Sequence, residues 1–78
     1  MLSVKINSPT KIIWEGKVKS ISSKNSQGAF DILSQHANFI SALVDQEIVL
    51  DTGKEKLKYH FDNSLIYAHN NFVSIYTL

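Results

Sequence analysis

Seventy-eight residues hold one small domain, and 44% hydrophobic with 19% charged residues is a globular composition rather than a disordered one. The net charge is +1, and every one of the eight basic residues is a lysine. Guanine readout and phosphate clamping favour arginine, so sequence-specific nucleic-acid binding is not expected. With no cysteine, disulfides and thiolate-metal centres are excluded.

In chain order, Leu2, Val4 and Ile6 alternate with polar residues, the period of a half-buried strand. Ser8-Pro9-Thr10 breaks it, because proline lacks the ladder donor. Ile12-Ile13-Trp14 restarts an extended segment that reaches a turn or bulge at Gly16. A third strand is expected over Lys17–Ser22. Val18 and Ile21 are out of phase there, which calls for a bulge or twist if both are to point inward. Ser23–Gly28 is a polar loop. Phe30 and Ile32 then share a strand face, with Asp31 on the other.

Ser34-Gln35-His36-Ala37-Asn38 reads as a bend, and Phe39–Val44 is apolar on both sides, suiting a strand covered twice or a short helical turn. Glu47–Leu50 reads as a separate strand before a hairpin turn at Asp51-Thr52-Gly53-Lys54. Leu57, Tyr59 and Phe61 alternate cleanly with polar residues. A turn is expected at Asp62-Asn63-Ser64, then a strand over Leu65–His69. Asn70-Asn71 forms a tight turn, since asparagine tolerates left-handed backbone, and Phe72–Leu78 ends the chain as a strand. The pattern predicts an all-β fold, a flattened sandwich or barrel of about ten short strands in one domain over 1–78.

Chemistry-bearing patterns are sparse. The three histidines, His36, His60 and His69, show no metal-ligand spacing, and His60 and His69 are expected to face solvent. Asp31, Ser34 and His36 include the residue types of a hydrolase triad, but no nucleophile elbow accompanies them. A bend in which Ser34 and Asn38 bond their own backbone is the favoured reading. The three glycines are too far apart to cradle a phosphate. No catalytic residue, cofactor or metal site is expected. The N-terminus lacks a secretory pattern, and the apolar runs are only a few residues long against the roughly 20 of a membrane helix. The expectation is a soluble, cytoplasmic chain that reaches a membrane only through a partner. Trp14, Phe30, Phe39, Ile40, Leu43, Phe61, Phe72 and Tyr76 are too many large side chains for one thin core, which points to an exposed apolar docking patch.

The stretch from Gly28 to Leu43, GAFDILSQHANFISAL, resembles the G-x-[FL]-G-I-L-P-x-H-A-P-[FL]-[IVL]-x-x-L signature of the epsilon subunit of F-type ATP synthase. Ser8-Pro9-Thr10-Lys11 with Trp14-Glu15-Gly16-Lys17-Val18 resembles that family's opening, and Ala68–Ile75 its V-x-x-N-x-V-x-I. The likeness runs through the whole chain. Asp31 stands where the family has glycine. Ser34-Gln35 fills its Pro-x slot, and Asn38 replaces the second proline. Family members commonly continue into a C-terminal helical hairpin associated with inhibiting ATP hydrolysis and, in some members, with binding ATP. The sequence given stops at Leu78, where that hairpin would begin; if 78 residues are the whole protein, those activities are expected to be absent.

The resemblance implies a non-catalytic rotor subunit of the central stalk, peripheral on the cytoplasmic face of an energy-transducing membrane. It would dock the gamma subunit to the loops of the c-ring and couple proton- or sodium-driven rotation to ATP synthesis. On that basis Ser26, Gln27, Gly28, Ala29, Asp31 and His36 are candidates for the c-ring side. Ala37, Phe39, Ile40 and Leu43 are candidates for gamma contact. The alternative is a free-standing β-sandwich adaptor outside any synthase.

Overall fold

In a computed structural model that describes residues 1–35 and 38–78, the chain is built from strands alone. They are β1 (Leu2–Asn7), β2 (Ile12–Val18), β3 (Ser20–Asn25), β4 (Gly28–Leu33), β5 (Phe39–Asp51), β6 (Lys56–His69) and β7 (Phe72–Thr77). They form one continuous sheet in the order β2-β1-β7-β6-β5-β3-β4. All neighbours are antiparallel except β1 and β7, which run parallel.

The sheet is folded over on itself. One hydrophobic cluster holds Val4 and Ile6 of β1 together with Ile32 of β4, strands five places apart in the sheet. The smallest dimension is 22 Å, too thick for one flat layer when stacked sheets sit about 10 Å apart. A sandwich interior therefore forms between the two ends of a single sheet, filled by branched aliphatic side chains from all seven strands.

The strand count is seven, not about ten, and the reason lies in β5 and β6. The expected break between Val44 and Glu47 and the expected turn at Asp62-Asn63-Ser64 are both interior to long strands. In β5 the inward positions are 39, 41 and 43, then 46, 48 and 50. In β6 they are 57, 59 and 61, then 64, 66 and 68. Both strands change phase at the same level, where Asp45 adopts left-handed backbone with φ 53°. The ladder resumes in unchanged register, from Val44↔Asn63 to Gln46↔Phe61. A polar step in the sequence thus marks a reversal of the ribbon's faces, and the chain does not leave the sheet.

The odd spacing of Val18 and Ile21 has a similar explanation. β2 ends at Val18 and β3 runs over Ser20–Asn25, so the third strand lies three residues later than expected, taking in Ser23–Asn25 of the expected polar loop, and no bulge is needed. The chain crosses from one end of the sheet to the other through Lys19, whose N–H donates to the Asp51 carbonyl at 2.6 Å. Val18 and Ile21 are both fully buried.

The turns follow their chemistry. The Ser8 hydroxyl accepts from Lys11 N–H at 3.1 Å and donates to the Lys11 carbonyl at 3.0 Å, closing the Ser-Pro-Thr turn. Asn70 and Asn71 take φ values of 50° and 64°, the double left-handed turn of a two-residue hairpin. Gly53 takes φ 94° in the β5–β6 connection, beside the Asp51 carboxylate that accepts its N–H.

Candidate interaction surface

The outward faces of β5, β6 and β7 form one apolar surface. On β5 the outward side chains are Ile40, Ala42 and Val44, because Leu43 and its neighbours in phase point inward. Register then places Ile40 beside Tyr67 and Ala42 beside Leu65, and Leu65 in turn beside Tyr76. Phe72 continues the surface next to His69, whose ring stacks on Tyr67 with centroids 6.0 Å apart. Ile40, Val44 and Phe72 are 63%, 66% and 64% exposed. Single exposed apolar residues are ordinary, but a contiguous set across three strands makes this face the candidate interaction site.

Beyond β7 the surface becomes polar. Ser3, Lys5 and Asn7 of β1 and Glu15 and Lys17 of β2 line a shallow open groove against Phe72, Ser74 and Tyr76. Lys5 and Glu15 pair across it at 3.8 Å. As both side chains are largely exposed, this pair orients the rim more than it stabilises it.

The residues singled out in the sequence divide into three groups. Ser26, Gln27, Gly28 and Ala29 are exposed at the β3–β4 turn, where Asn25 Oδ1 accepts from Gln27 N–H at 2.9 Å and Gly28 takes φ 121°. Asn25 also reaches Ser41 Oγ at 3.1 Å, tying this hairpin to β5. Asp31 is exposed on β4 and accepts the Ser22 hydroxyl at 2.5 Å, which commits its carboxylate to a cross-strand bond.

Phe39 is half-buried, with its ring 5.0 Å from that of Phe30. Leu43 is 1% exposed, so a contact role for it is corrected: it is a core residue, placed inward by the phase of β5. Ile40 is the member of the 37–43 segment that presents a large apolar side chain to solvent. His36 and Ala37 lie outside the described residues. The eight large apolar residues that seemed too many for one core separate in the same way. Leu43 is in the core. Trp14, Phe30, Phe39 and Phe61 pack against its margin, and Ile40, Phe72 and Tyr76 are exposed.

The sequence reading did not single out Val44, Leu65 or Tyr67. Leu65-Ile66-Tyr67-Ala68 is apolar at every position, so periodicity alone could not tell inward from outward. The structure decides it: Ser64, Ile66 and Ala68 are buried, so the even positions of this half of β6 point inward, the opposite of what a polar Ser64 suggests in the sequence.

Three comparisons bear on what this surface belongs to. Residues 1–78 match the family model described as the beta-sandwich domain of the ATP synthase Delta/Epsilon chain. The ATP synthase epsilon chain of Clostridium novyi (strain NT) is 31% identical over 74 residues, covering 92% of this chain and 56% of the relative. That of Leptospira borgpetersenii is 32% identical over 76 residues, covering 97% and 60%. The chain therefore spans little more than half the length of these curated relatives. The fold is similar to a chain of the Tetrahymena thermophila mitochondrial ATP synthase central stalk and c-ring structure, with TM-score 0.82 and 14% identity, over 99% of this chain and 63% of that one. It is also similar to a chain of the Euglena gracilis mitochondrial ATP synthase structure, with TM-score 0.83 and 18% identity, over 97% and 49%.

Proposed function

This chain belongs to the Delta/Epsilon β-sandwich family of ATP synthase subunits, and on that premise we propose that it serves as a rotor component of the central stalk. It docks the gamma subunit to the loops of the c-ring and passes rotation between the ion-driven ring and the catalytic head. Its part is mechanical and non-catalytic, and it sits at the membrane surface through the complex. The observation that carries this reading is the family match along the whole chain.

The apolar outer face of β5–β6–β7 supports the attachment to gamma. A permanent docking site needs a contiguous apolar centre with a polar rim, and Ile40, Val44, Leu65, Tyr67, Phe72 and Tyr76 supply the centre. The exposed turn Ser26–Gly28 with Ala29 and Asp31 is the proposed c-ring side, a polar and adaptable edge of the kind that suits loop contacts. Among the described residues no helix is long and apolar enough to cross a membrane.

Co-purification of the chain with the gamma subunit of the same organism tests the reading. Retention of the two together through gel filtration is expected at both low and moderate salt, because an apolar interface is little screened. Failure to co-purify under any salt condition overturns it.

A further inference from the structure

Where the faces of the β5–β6 ribbon reverse, Asp45 and Asp62 fall opposite each other, between the Val44↔Asn63 and Gln46↔Phe61 pairs. His60 lies on the same outward side, and its Nε2 is 2.7 Å from Asp45 Oδ1. The three side chains are exposed, and one donor atom from each lies within 4.8 Å of the others. We propose that Asp45, His60 and Asp62 form a surface site for a divalent transition-metal cation of the zinc class, which clips the two strands together at the bend.

The donor set specifies the class of ion. One imidazole nitrogen with two carboxylate oxygens suits zinc, cobalt or nickel, whereas magnesium and calcium take oxygen ligands. Bonds of about 2.0–2.2 Å to such an ion draw the donors to roughly 3.3 Å apart. Reaching that spacing opens the 2.7 Å His60–Asp45 contact and brings in the Asp62 oxygen, which starts no farther than 4.8 Å from the other two donors on exposed side chains.

Charge favours a cation at this point. Directly opposed aspartates repel across a strand pair. Glu47, paired with His60 in the ladder, adds a third carboxylate on the same outward face. The cations near the cluster are Lys58 on β6 and Lys24, which lines the same surface hollow as Glu47 from β3. The 2.7 Å contact between His60 and Asp45 is what the metal displaces. This site is independent of the stalk role and stands whether or not the chain binds gamma.

Titration calorimetry of ZnCl2 into the purified chain tests the proposal. Saturable one-to-one binding is expected at pH 7.5. MgCl2 at the same concentration gives no comparable heat. His60→Ala and the isosteric Asp62→Asn each lose at least about tenfold in affinity, since even the partners of metal ligands cost a site that much. His69→Ala, away from the cluster, binds as the parent does. Circular dichroism confirms that each variant is folded, which exposed positions permit. Absence of saturable zinc binding at pH 7.5, or parental affinity in folded His60→Ala, overturns the proposal.

Discussion

The indole of Trp14 lies over Gly16, two residues along β2, so closely that a β-carbon on the glycine would sit 2.7 Å from the ring. The two positions share the inward face of an edge strand, opposite Ile6 and Val4 of β1. Glycine here is a matter of space: the bare backbone lets the indole fold down and cap the core.

Gly16→Ala therefore sets two effects against each other. Reduced freedom of the unfolded chain stabilises by about 0.4–1 kcal/mol. Displacing the ring costs about 1–3 kcal/mol, as overpacking does elsewhere. A net loss on the order of 1 kcal/mol is expected in urea unfolding. Because Trp14 is the sole tryptophan, its emission should shift to the red in the folded variant. An unshifted spectrum with raised stability would show that the indole does not hold this position.

Leu43 and Ile40 are three residues apart on β5 and face opposite ways. Leu43→Ala should cost about 2–5 kcal/mol of stability, the range for emptying a buried leucine site. Ile40→Asp should leave stability within about 0.5 kcal/mol, as surface changes usually do. The same substitution should weaken capture of gamma by tenfold or more, since it places a charge in the apolar centre of the proposed docking face. Urea midpoints and pull-down with gamma separate the two readouts. Equal loss of stability in both variants would contradict the assigned faces.

Ser64 is buried opposite Leu43 and Thr77, and among the described residues its hydroxyl has no hydrogen-bond partner. A buried hydroxyl left unpaired costs about 1–3 kcal/mol. Ser64→Ala is expected to raise stability by up to about 1 kcal/mol, the gain being offset by the small void left behind. A higher urea midpoint at unchanged slope checks this, and a fall of more than about 1 kcal/mol would mean the hydroxyl is bonded.

Asn71 serves two ends at once. Its left-handed backbone closes the β6–β7 turn, and its side-chain oxygen accepts the N–H of Gln35 at 2.5 Å from the connection after β4. Asn71→Gly keeps the turn and removes the pin, whereas Asn71→Ala loses both. Faster hydrogen exchange at Gln35 is expected in both variants, with a further stability loss of about 1 kcal/mol in the alanine variant alone. Protection at Gln35 that survives either change would show the amide is held by another partner.

The inward sets of β1 and of the first half of β6 were legible from alternation, because each has one apolar and one polar face, and the turns at Ser8–Thr10, Asp51–Lys54 and Asn70-Asn71 were legible from their residue types; β3 was not, since Ser23–Asn25 read as polar loop and pair with β4. β5 and β6 were legible only in halves. Their outward faces are apolar over 40–44 and 65–67, so the two faces look alike, and their reversal at Asp45 and Asp62 looks like two turns. The candidate surface was visible as an excess of large side chains around Ile40, Phe72 and Tyr76. Its location across three strands required register, which is a pairing between distant residues and has no local signal in the chain. The Asp45–His60–Asp62 cluster was hidden for the same reason. Asp45 and His60 are fifteen positions apart and meet only because the ladder is continuous through the bend.

That continuity has a mechanical consequence. In a sandwich of two separate sheets, a load that drives one layer past the other is resisted by side-chain packing alone. Here β5 and β6 run through both layers, so the same load pulls along the length of a hydrogen-bonded ladder and must shear its rungs together. The domain is stiff in the direction in which a sandwich is ordinarily weakest.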